Sequence, residues 1–250
     1  NPDENSHPLL SHGTTLVDHS TEVKKRWGGW YVSGRSDDPH LGNRSTVEGE
    51  ELDAELAELE DLSKLIDTEK YLTPTSDIVS LMVLEHQCRM HNLLTKAKMN
   101  YRRSAWFQQS MQKGLSPDDP AGMAWKSADQ LAGDVVEGLL FKGEVELTGD
   151  GLSGSEAFAK AFAKGGVETE KGKSLRDMRL YERLFKYRCS YMIYSKAFQA
   201  LPKLVKERVF VKLRAALSDE GVEEFEYLGS RERKSIRAIL EETVPGYLLK

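Results

Sequence analysis

The most regular hydrophobic pattern in the chain runs from Thr75 to about Lys113. Pro74 precedes it, Thr75 or Ser76 can cap its first turn, and it contains no Gly or Pro. At about 100° per residue, one apolar stripe follows it throughout: Val79, Met82, Val83, His86, Met90, Leu93, Leu94, Ala97 and Tyr101. A second apolar stripe lies on roughly the opposite side: Leu81, Leu84, Cys88 and His91. Because a helix that is apolar on two sides is enclosed by protein, the pattern predicts a long, buried central helix over 75–113.

Helical patterns recur on both sides of the central helix. Leucine and isoleucine residues at helical spacing predict an acidic amphipathic helix over 47–69, whose charges should form a solvated face. Further apolar patterns predict short helices over 155–164 and 171–202 and longer ones over 124–141, 203–217 and 230–243. Hardly any segment alternates hydrophobic and polar residues as a strand does. The predicted fold is therefore mainly α, a single irregular multi-helix domain over 1–250 with a helical remainder over 124–250.

An aromatic and glycine-rich loop over 14–43 precedes these helices. The paired glycines of WGGWYVSG break any helix, the run from Trp30 to Ser33 is β-like, and turn-forming residues follow it. Aromatic rings and imidazoles are dense in this loop: His19, Trp27, Trp30, Tyr31 and His40. We expect the loop to pack on the N-terminal half of the central helix with Trp30 buried. The alternative is a loop that covers a flat ligand.

The composition narrows the class of protein. With 39% hydrophobic and 30% charged residues, the 250-residue chain has the composition of an ordinary globular protein. Its net charge of −5 offers no argument for a nucleic acid or an anionic membrane as partner. The longest uncharged apolar runs, such as 78–84, are far too short to cross a bilayer, so we expect no transmembrane segment. Two cysteines make no disulfide framework, and Cys88 falls on a stripe where we expect a buried, unreactive thiol.

The sequence EHQCRMHN in the central helix concentrates the candidate metal ligands. His86 and Met90 are four residues apart, so they lie on one face and have side chains that can ligate iron or copper. His91 lies about 140° around the helix from His86, so a straight helix cannot direct both histidines at one metal ion. The alternative is that His86 is a core histidine hydrogen-bonded to a neighbour, with Met90 filling space.

Other charged residues of the chain allow two interpretations each. Glu85 lies off both apolar stripes, so we expect it in solvent or paired with Arg89. Guanidinium groups beside Trp and Tyr can hold a propionate or another anion, or stack on the rings as structural pairs. Four arginines have such neighbours: Arg26, Arg35, Arg183 and Arg188. The chain contains no GxGxxG, P-loop, GxSxG, HExxH or CxxCH motif.

Three blocks of the sequence resemble successive blocks of one protein family. They are DHSTEVKKRWGGWYVSG with HLGN, YLTPTSDIVSLMVLEHQCRMHN, and GKSLRDMRLYERLFKYRCSYMIYSKAFQALP. The family is a group of largely uncharacterised, exported bacterial proteins related to c-type cytochromes, whose fuller members carry a CxxCH motif upstream of the WGGWY block. The resemblance covers roughly 14–43 and 70–245, whereas the acidic segment 47–66 departs from the family pattern. Because the chain opens at NPDENSHPLL without Met, we expect the haem-bearing part upstream of it.

The resemblance implies an exported, periplasmic protein whose full-length form carries haem c. It also implies that an upstream haem-bearing segment or a redox protein is the partner, while the net charge leads us to expect no nucleic acid as partner. Four histidines inside matching motifs become candidates for a distal ligand or a pocket residue: His19, His40, His86 and His91. The full set of candidate cofactor-binding residues is His86, Met90, His91, His19, His40, Trp27, Trp30 and Arg26.

Three functions remain open at this point. The first is a redox module, the C-terminal part of a c-type-cytochrome-like protein that supports electron transfer or haem-based chemistry. The second is a non-haem metal or small-molecule enzyme centred on the central helix, with His86 and His91 as its metal candidates. The third is a structural or interaction domain with both histidines in its core. No catalytic motif decides between an enzyme and a binding protein.

Overall fold

The structure, a computed structural model, describes residues 16–43, 59–111 and 114–248. Its helices are α1 (Ile78–Met111), α2 (Met123–Leu139), α3 (Glu156–Lys164), α4 (Lys196–Gln199), α5 (Lys203–Ala216) and α6 (Ser230–Thr243). Two short strands, β1 (Arg35–Ser36) and β2 (Leu152–Ser153), pair in antiparallel orientation. The predicted mainly α fold with a long central helix is confirmed. Among the described helices, none has the length and apolar character needed to cross a bilayer.

The chain divides into two compact units, each assembled from separated stretches. The first unit comprises Asn1–His86, Gly143–Gly165 and Met178–Lys186. The second comprises Gln87–Lys142, Gly166–Asp177 and Tyr187–Lys250. Helix α1 therefore contributes its first nine residues to the first unit and its remainder to the second. The expectation that the chain is one domain stays a prediction.

Helix α1 confirms one of its two predicted apolar stripes. The residues of that stripe are buried from Val79 to Ala97, and Tyr101 is half-buried. The second stripe is wrong beyond Leu81, because Leu84 is 47% exposed and Cys88 and His91 are exposed as well. Periodicity determines the direction in which a side chain points but not whether another element packs there. The helix is therefore not buried on two sides along its length.

The start of α1 is held by Asp77 rather than by Thr75 or Ser76. One carboxylate oxygen of Asp77 accepts a hydrogen bond from the backbone N–H of Ser80 at 2.8 Å. The other oxygen accepts from the backbone N–H of Ser155, the N-cap residue of α3, at 2.5 Å. Asp77 thus satisfies a first-turn N–H of α1 and connects the starts of two helices in the first unit.

The two short strands fix one end of the aromatic loop in the first unit. Arg35 pairs with Ser153, and Ser36 pairs with Leu152. Gly34 just before them has a φ of 112°, and a Cβ there would lie 2.7 Å from both Ile78 Cγ2 and the carbonyl oxygen of Ser153. Only glycine accepts this backbone conformation and this close approach without strain.

The acidic helix predicted over 47–69 is wrong wherever the structure describes it. Residues 59–69 form bends and turns, whereas 47–58 lie outside the described residues. The backbone of Leu59 accepts a hydrogen bond from Gly34 N–H, and Leu62 N–H donates to the carbonyl of Pro74. The carbonyl of Leu62 accepts one i to i+4 bond, from Ile66 N–H, but these long-range backbone bonds hold the segment outside a helix, and Leu62 is buried. Tertiary contacts therefore override the helical spacing of the leucines.

The second unit is built on the packing of α2 against α5. Helix α2 buries one face: Ala124, Ala128, Leu131, Ala132, Val135, Val136 and Leu139. At its rim, Asp129 accepts hydrogen bonds from Arg208 at 2.6 Å and pairs with Lys212 at 3.1 Å. The helices predicted over 124–141, 155–164, 203–217 and 230–243 are confirmed as α2, α3, α5 and α6. Only part of 171–202 is helical, namely α4 and a 3-10 turn over Tyr191–Tyr194.

Both cysteines are free thiols. Cys88, which the sequence placed on a buried stripe, is exposed on α1. Cys189 is completely buried in the second unit, where desolvation raises the pKa of its thiol well above the ordinary range. The unreactive, buried thiol is therefore Cys189 and not Cys88.

Candidate functional site

The WGGWYVSG segment folds into a tight turn whose backbone is held at several points. Trp27 has a φ of 61° and Gly29 a φ of 80°, and Trp30 N–H donates to the carbonyl of Trp27 at 2.9 Å. Asn43 N–H donates to the carbonyl of Trp30, while the Asn43 side chain exchanges two hydrogen bonds with the backbone of Val32. These bonds close the loop on itself and orient successive aromatic side chains in different directions.

A fully buried guanidinium anchors this turn to α1. Arg26 is only 1% exposed, and its side chain donates to the Glu85 carboxylate at 2.8 Å. It also donates to the backbone carbonyl of Thr21 twice, and it contacts the Met82 sulfur at 2.7 Å. Burial is the largest influence on its pKa and lowers it, while the attraction of Glu85 acts in the opposite direction. An arginine stays charged in such surroundings, so the pair is a buried ion pair.

Glu85 contradicts the expectation of a solvated side chain paired with Arg89. Its carboxylate receives Arg26 on one oxygen and the indole N–H of Trp27 on the other, at 2.6 Å. Desolvation raises its pKa above the ordinary carboxyl value, although Arg26 and Trp27 both stabilise the charged form. The prediction was wrong because Glu85 lies off both apolar stripes, yet a loop folds over this side of the helix and covers it. Glu85 is the residue that fixes the turn.

His86 is buried, as its place on the apolar stripe of α1 predicted. It is 1% exposed, and its ring lies 5.7 Å from that of His19 and 6.2 Å from that of Phe185, between centroids. Burial, and secondarily His19, lower its pKa well below the ordinary histidine value, so it is neutral at pH 7. None of the three described grooves is lined by His86. His19 is itself buried at 8% exposure.

The remaining candidate ligands differ in their surroundings. His40 is buried, accepts a hydrogen bond from Gly42 N–H at 3.0 Å, and meets the Trp27 ring edge-on. Met90 is fully buried in the second unit, where a Cβ added at Gly138 would lie 2.9 Å from its sulfur. His91 is exposed. Across the described residues there is no group of three His, Cys, Asp or Glu side chains able to hold a metal ion.

The arginines considered as anion partners are occupied by protein groups. Arg188 contacts both carboxylate oxygens of Glu232, at 2.6 Å for the closest pair, and lies over the Tyr227 ring. Arg183 donates to the carbonyls of Phe185 and Lys186, and exposed Arg35 pairs with Asp37. Together with Arg26, all four therefore have protein partners. Those of Arg26 and Arg188 include carboxylates distant in sequence, which the sequence pattern could not reveal, whereas those of Arg35 and Arg183 are two or three residues away.

Trp30 contradicts the expectation that it is buried. Its side chain is 57% exposed, whereas Trp27, three residues earlier, is only 5% exposed. The tight turn between them directs one indole toward Glu85 and the other toward solvent. Tyr31 is 46% exposed beside it. An exposed aromatic pair on a turn held by hydrogen bonds is typical of a surface that contacts a ligand. Trp30 is therefore a candidate ligand-contacting residue.

Trp30 and Tyr31 form one wall of an aromatic groove of about 480 Å³. The opposite wall comes from the segment before α1 and includes Leu62, Ile66 and Tyr71, the last 65% exposed. Hydroxyl-bearing residues also line it: Thr68, Thr73, Thr75 and Ser76. Three exposed aromatic rings among apolar and hydroxyl groups suit a flat, largely apolar ligand with a polar edge.

The sequence did not predict Tyr71 as part of this site, and it did not predict the role of Glu85. Tyr71 belongs to a segment without helical periodicity, and nothing in the pattern placed it opposite the WGGWY turn. The signal that could have found it is the pair of large apolar residues, Tyr71 and Leu72, directly before Thr73 and Pro74. Glu85 was noticed, but its role depends on a partner 59 positions earlier in the chain.

Comparison with protein-family models, with curated proteins and with solved structures finds no match for this chain. The site must therefore be interpreted from its own geometry. That geometry comprises a rigid turn, an interior fixed by Arg26 and Glu85, and an aromatic groove open to solvent.

Proposed function

We propose that this protein is a redox-associated module of an exported, c-type-cytochrome-like protein, and that its aromatic groove receives a haem c-bearing segment or redox partner. The observation that carries the proposal is the outward position of Trp30, Tyr31 and Tyr71 around a groove on a rigidly held turn. The ligand class comes from the resemblance of the WGGWY, central-helix and 172–202 blocks to proteins related to c-type cytochromes.

The groove has the physical properties that a haem edge requires. A haem is a flat aromatic macrocycle, and aromatic side chains stack on such rings at little cost in conformational entropy. The turn is held by the buried Arg26–Glu85 pair and by Asn43, so Trp30 and Tyr31 need little ordering when a ligand arrives. Leu62 and Ile66 provide apolar surface that excludes water from a bound edge.

The histidines do not fit the role of axial ligand in this conformation. His86 is enclosed by the rings of His19 and Phe185, and His40 uses one ring nitrogen to accept from Gly42. An axial ligand must offer an imidazole nitrogen to the iron on an open side. Haem would supply one-electron chemistry when bound. The role proposed for this chain is to bind and orient the haem-bearing segment with Trp30 and Tyr71 and to exclude water there.

A titration with a haem c peptide tests the proposal. The probe is a short CxxCH peptide with covalently attached haem, titrated into the 250-residue protein and followed by calorimetry. We expect Trp30→Ala/Tyr71→Ala to weaken binding on the order of tenfold, because each aromatic pair contributes about 0.5–1.5 kcal/mol beyond its area. The matched control Trp106→Ala/Tyr181→Ala removes one exposed Trp and one exposed Tyr elsewhere and should leave the affinity within about twofold.

Two results would reject this proposal. One is that the haem c peptide does not bind the folded wild-type protein. The other is an equal loss of affinity in both double variants, which would indicate nonspecific contact between haem and exposed aromatic rings.

A second candidate function is the binding of a non-haem organic ligand in the same groove. The observation that favours it is the set of hydroxyl residues on the groove wall, Thr68, Thr73, Thr75 and Ser76, which suit a ligand with several polar groups. An absorption spectrum and a metal analysis of the full-length protein discriminate the two candidates. A Soret band favours the first, and its absence together with a co-purified organic ligand favours the second.

A further inference from the structure

The C-terminal half of α1 presents one uninterrupted exposed face. With about 100° per residue, eight residues lie within about 60° of Trp106 around the helix axis. All eight are exposed: Asn92, Thr95, Met99, Arg102, Arg103, Trp106, Gln109 and Ser110. We call these residues the Trp106 face. The Trp106 face belongs entirely to the second unit and to one continuous helix.

Large apolar side chains occupy the middle of the Trp106 face. Met99 and Trp106 are two helical turns apart, and each is 62% exposed. Phe107, at the margin, is 43% exposed and meets Trp106 edge-on at 5.2 Å between ring centroids. Contiguous exposed groups of this size are uncommon on a protein surface that contacts only water.

Positive charge flanks this apolar centre on both sides. Arg102 lies about 40° to one side of Trp106 and Arg103 about 60° to the other, and Lys98 and Lys96 continue the two flanks at about 80°. Neither Arg102 nor Arg103 has an ion-pair partner among the residues that the structure describes. Their guanidinium groups are therefore available to an external anion.

The surrounding sequence contains no negative charge. Residues 86–117 include six Lys and Arg residues and no Asp or Glu, in a chain whose net charge is −5. The acidic groups known to approach this helix lie off the centre of the face. Asp134 pairs with Lys96 at its margin, and Asp118 acts on Tyr101, about 140° away from Trp106. The Trp106 face is therefore positively charged and locally uncompensated.

We propose that the Trp106 face binds the surface of an anionic phospholipid membrane, with α1 lying in the interface plane. An interfacial helix has an apolar centre that enters the acyl boundary and cations at its flanks that meet lipid phosphates. Tryptophan is the residue that bilayer interfaces favour most, because its ring is both apolar and a hydrogen-bond donor. This proposal is independent of the function proposed for the aromatic groove.

The arrangement favours lipid over two other anionic partners. A single-stranded nucleic acid would pair its phosphates with the arginines and stack a base on Trp106, but it offers no hydrocarbon surface to Met99. An acidic polypeptide would pair with the arginines but would leave the methionine and the indole without an apolar counterpart. Only a lipid surface offers phosphates and hydrocarbon within the width of one helix.

Vesicle co-sedimentation of the 250-residue protein tests the proposal. The probes are vesicles of phosphatidylglycerol and phosphatidylcholine in equal amounts, and vesicles of phosphatidylcholine alone. We expect binding to the anionic vesicles and little to the neutral ones. Arg102→Glu/Arg103→Glu should lower the partition coefficient on the order of tenfold or more, since each cation near an anionic surface contributes substantially. Trp106→Ala should lower it as well, while Trp30→Ala should not.

A charge-matched variant separates a local site from a net-charge effect. Arg231 and Lys234 are exposed on α6, and Arg231→Glu/Lys234→Glu changes the net charge by the same amount as the α1 variant. It should leave vesicle binding within about twofold. Absence of binding by the wild-type protein, an equal effect of the two charge variants, or binding to RNA or polyglutamate without binding to vesicles would overturn the proposal. Circular dichroism confirms that each variant is folded.

Discussion

A guanidinium that is 1% exposed, as at Arg26, has lost its hydration and must recover it from protein acceptors. Glu85 and the carbonyl of Thr21 provide them, and Trp27 donates to the second oxygen of the same carboxylate. Burial alone would favour the neutral form of both ion-pair partners. The short distance and the additional hydrogen bonds stabilise the charged pair, so three side chains act as one unit at the base of the turn.

Replacing Glu85 tests this unit. Glu85→Ala leaves Arg26 buried without its counter-charge, so we expect a loss of about 3–5 kcal/mol in the free energy of unfolding, measured by urea denaturation. Glu85→Gln retains an acceptor for Trp27 and should lose less. The control is Glu156→Ala, which removes a fully exposed carboxylate paired with Lys160 and should not change the unfolding midpoint. If Glu85→Ala were as stable as this control, the pair would not anchor the turn.

His86 predicts a dependence of stability on pH. Its folded-state pKa is well below 6.5, its ordinary value, so the unfolded chain takes up a proton more readily than the folded one. The contribution of His86 to stability should therefore be constant above about pH 7 and should fall as pH decreases below about 6.5, by up to about 1.4 kcal/mol per pH unit. His86→Gln should reduce this slope in urea titrations between pH 7 and pH 5. The residual slope belongs to other groups, including nearby His19. Identical slopes in the two proteins would contradict a buried, neutral His86.

At the scale of elements, α1 combines three environments along one continuous helix. Its first turn is tied to α3 through Asp77, its stripe from Val79 to Ala97 is buried, and its C-terminal half exposes the Trp106 face. The aromatic loop is a short element of a different kind, in which hydrogen bonds to Asn43 and to Glu85 replace regular secondary structure. Both elements are therefore held by polar contacts at their ends as well as by apolar packing.

Asp77 tests how the element ends are held. Asp77→Ala removes acceptors from the N–H groups of Ser80 and Ser155, so we expect a loss of about 1–3 kcal/mol in the free energy of unfolding. Asp77→Asn, which keeps one acceptor oxygen, should lose less. Asp61 also accepts a hydrogen bond from a nearby backbone N–H, that of Ser63, but this bond lies within one turn and joins no two helices. Asp61→Ala is the matched control and should not change the unfolding midpoint, and an equal effect of both substitutions would refute the special role of Asp77.

For the whole molecule, net charge conceals how charge is distributed. A net charge of −5 argues against anionic partners only if the charges are mixed evenly. In this chain, eight acidic residues fall between 47 and 61, whereas 86–117 contains none. The vesicle experiment and the haem c peptide experiment address two different regions of the molecule, one in each unit. A Trp106 substitution is the control in the haem c peptide experiment, and a Trp30 substitution is a control in the vesicle experiment. The outcomes of the two experiments can therefore be separated.

The sequence by itself determined the helical class, the bounds of α2, α5 and α6, and the buried stripe of α1. These features depend on interactions between residues three and four positions apart, which a periodic pattern records directly. Burial of His86 was also within reach of the sequence, because it lies in the middle of the apolar stripe of α1.

Only the tertiary structure decided which of two neighbouring tryptophans faces the solvent and which glutamate faces the interior. Trp27 and Trp30 have the same chemistry, and the left-handed backbone at Trp27 and Gly29 directs their side chains apart. Glu85 is buried because Arg26, far away in sequence, needs a counter-charge. The exposed side of α1 likewise depends on what does or does not pack against it. Such choices follow from contacts between distant segments, and no local pattern of residues encodes them.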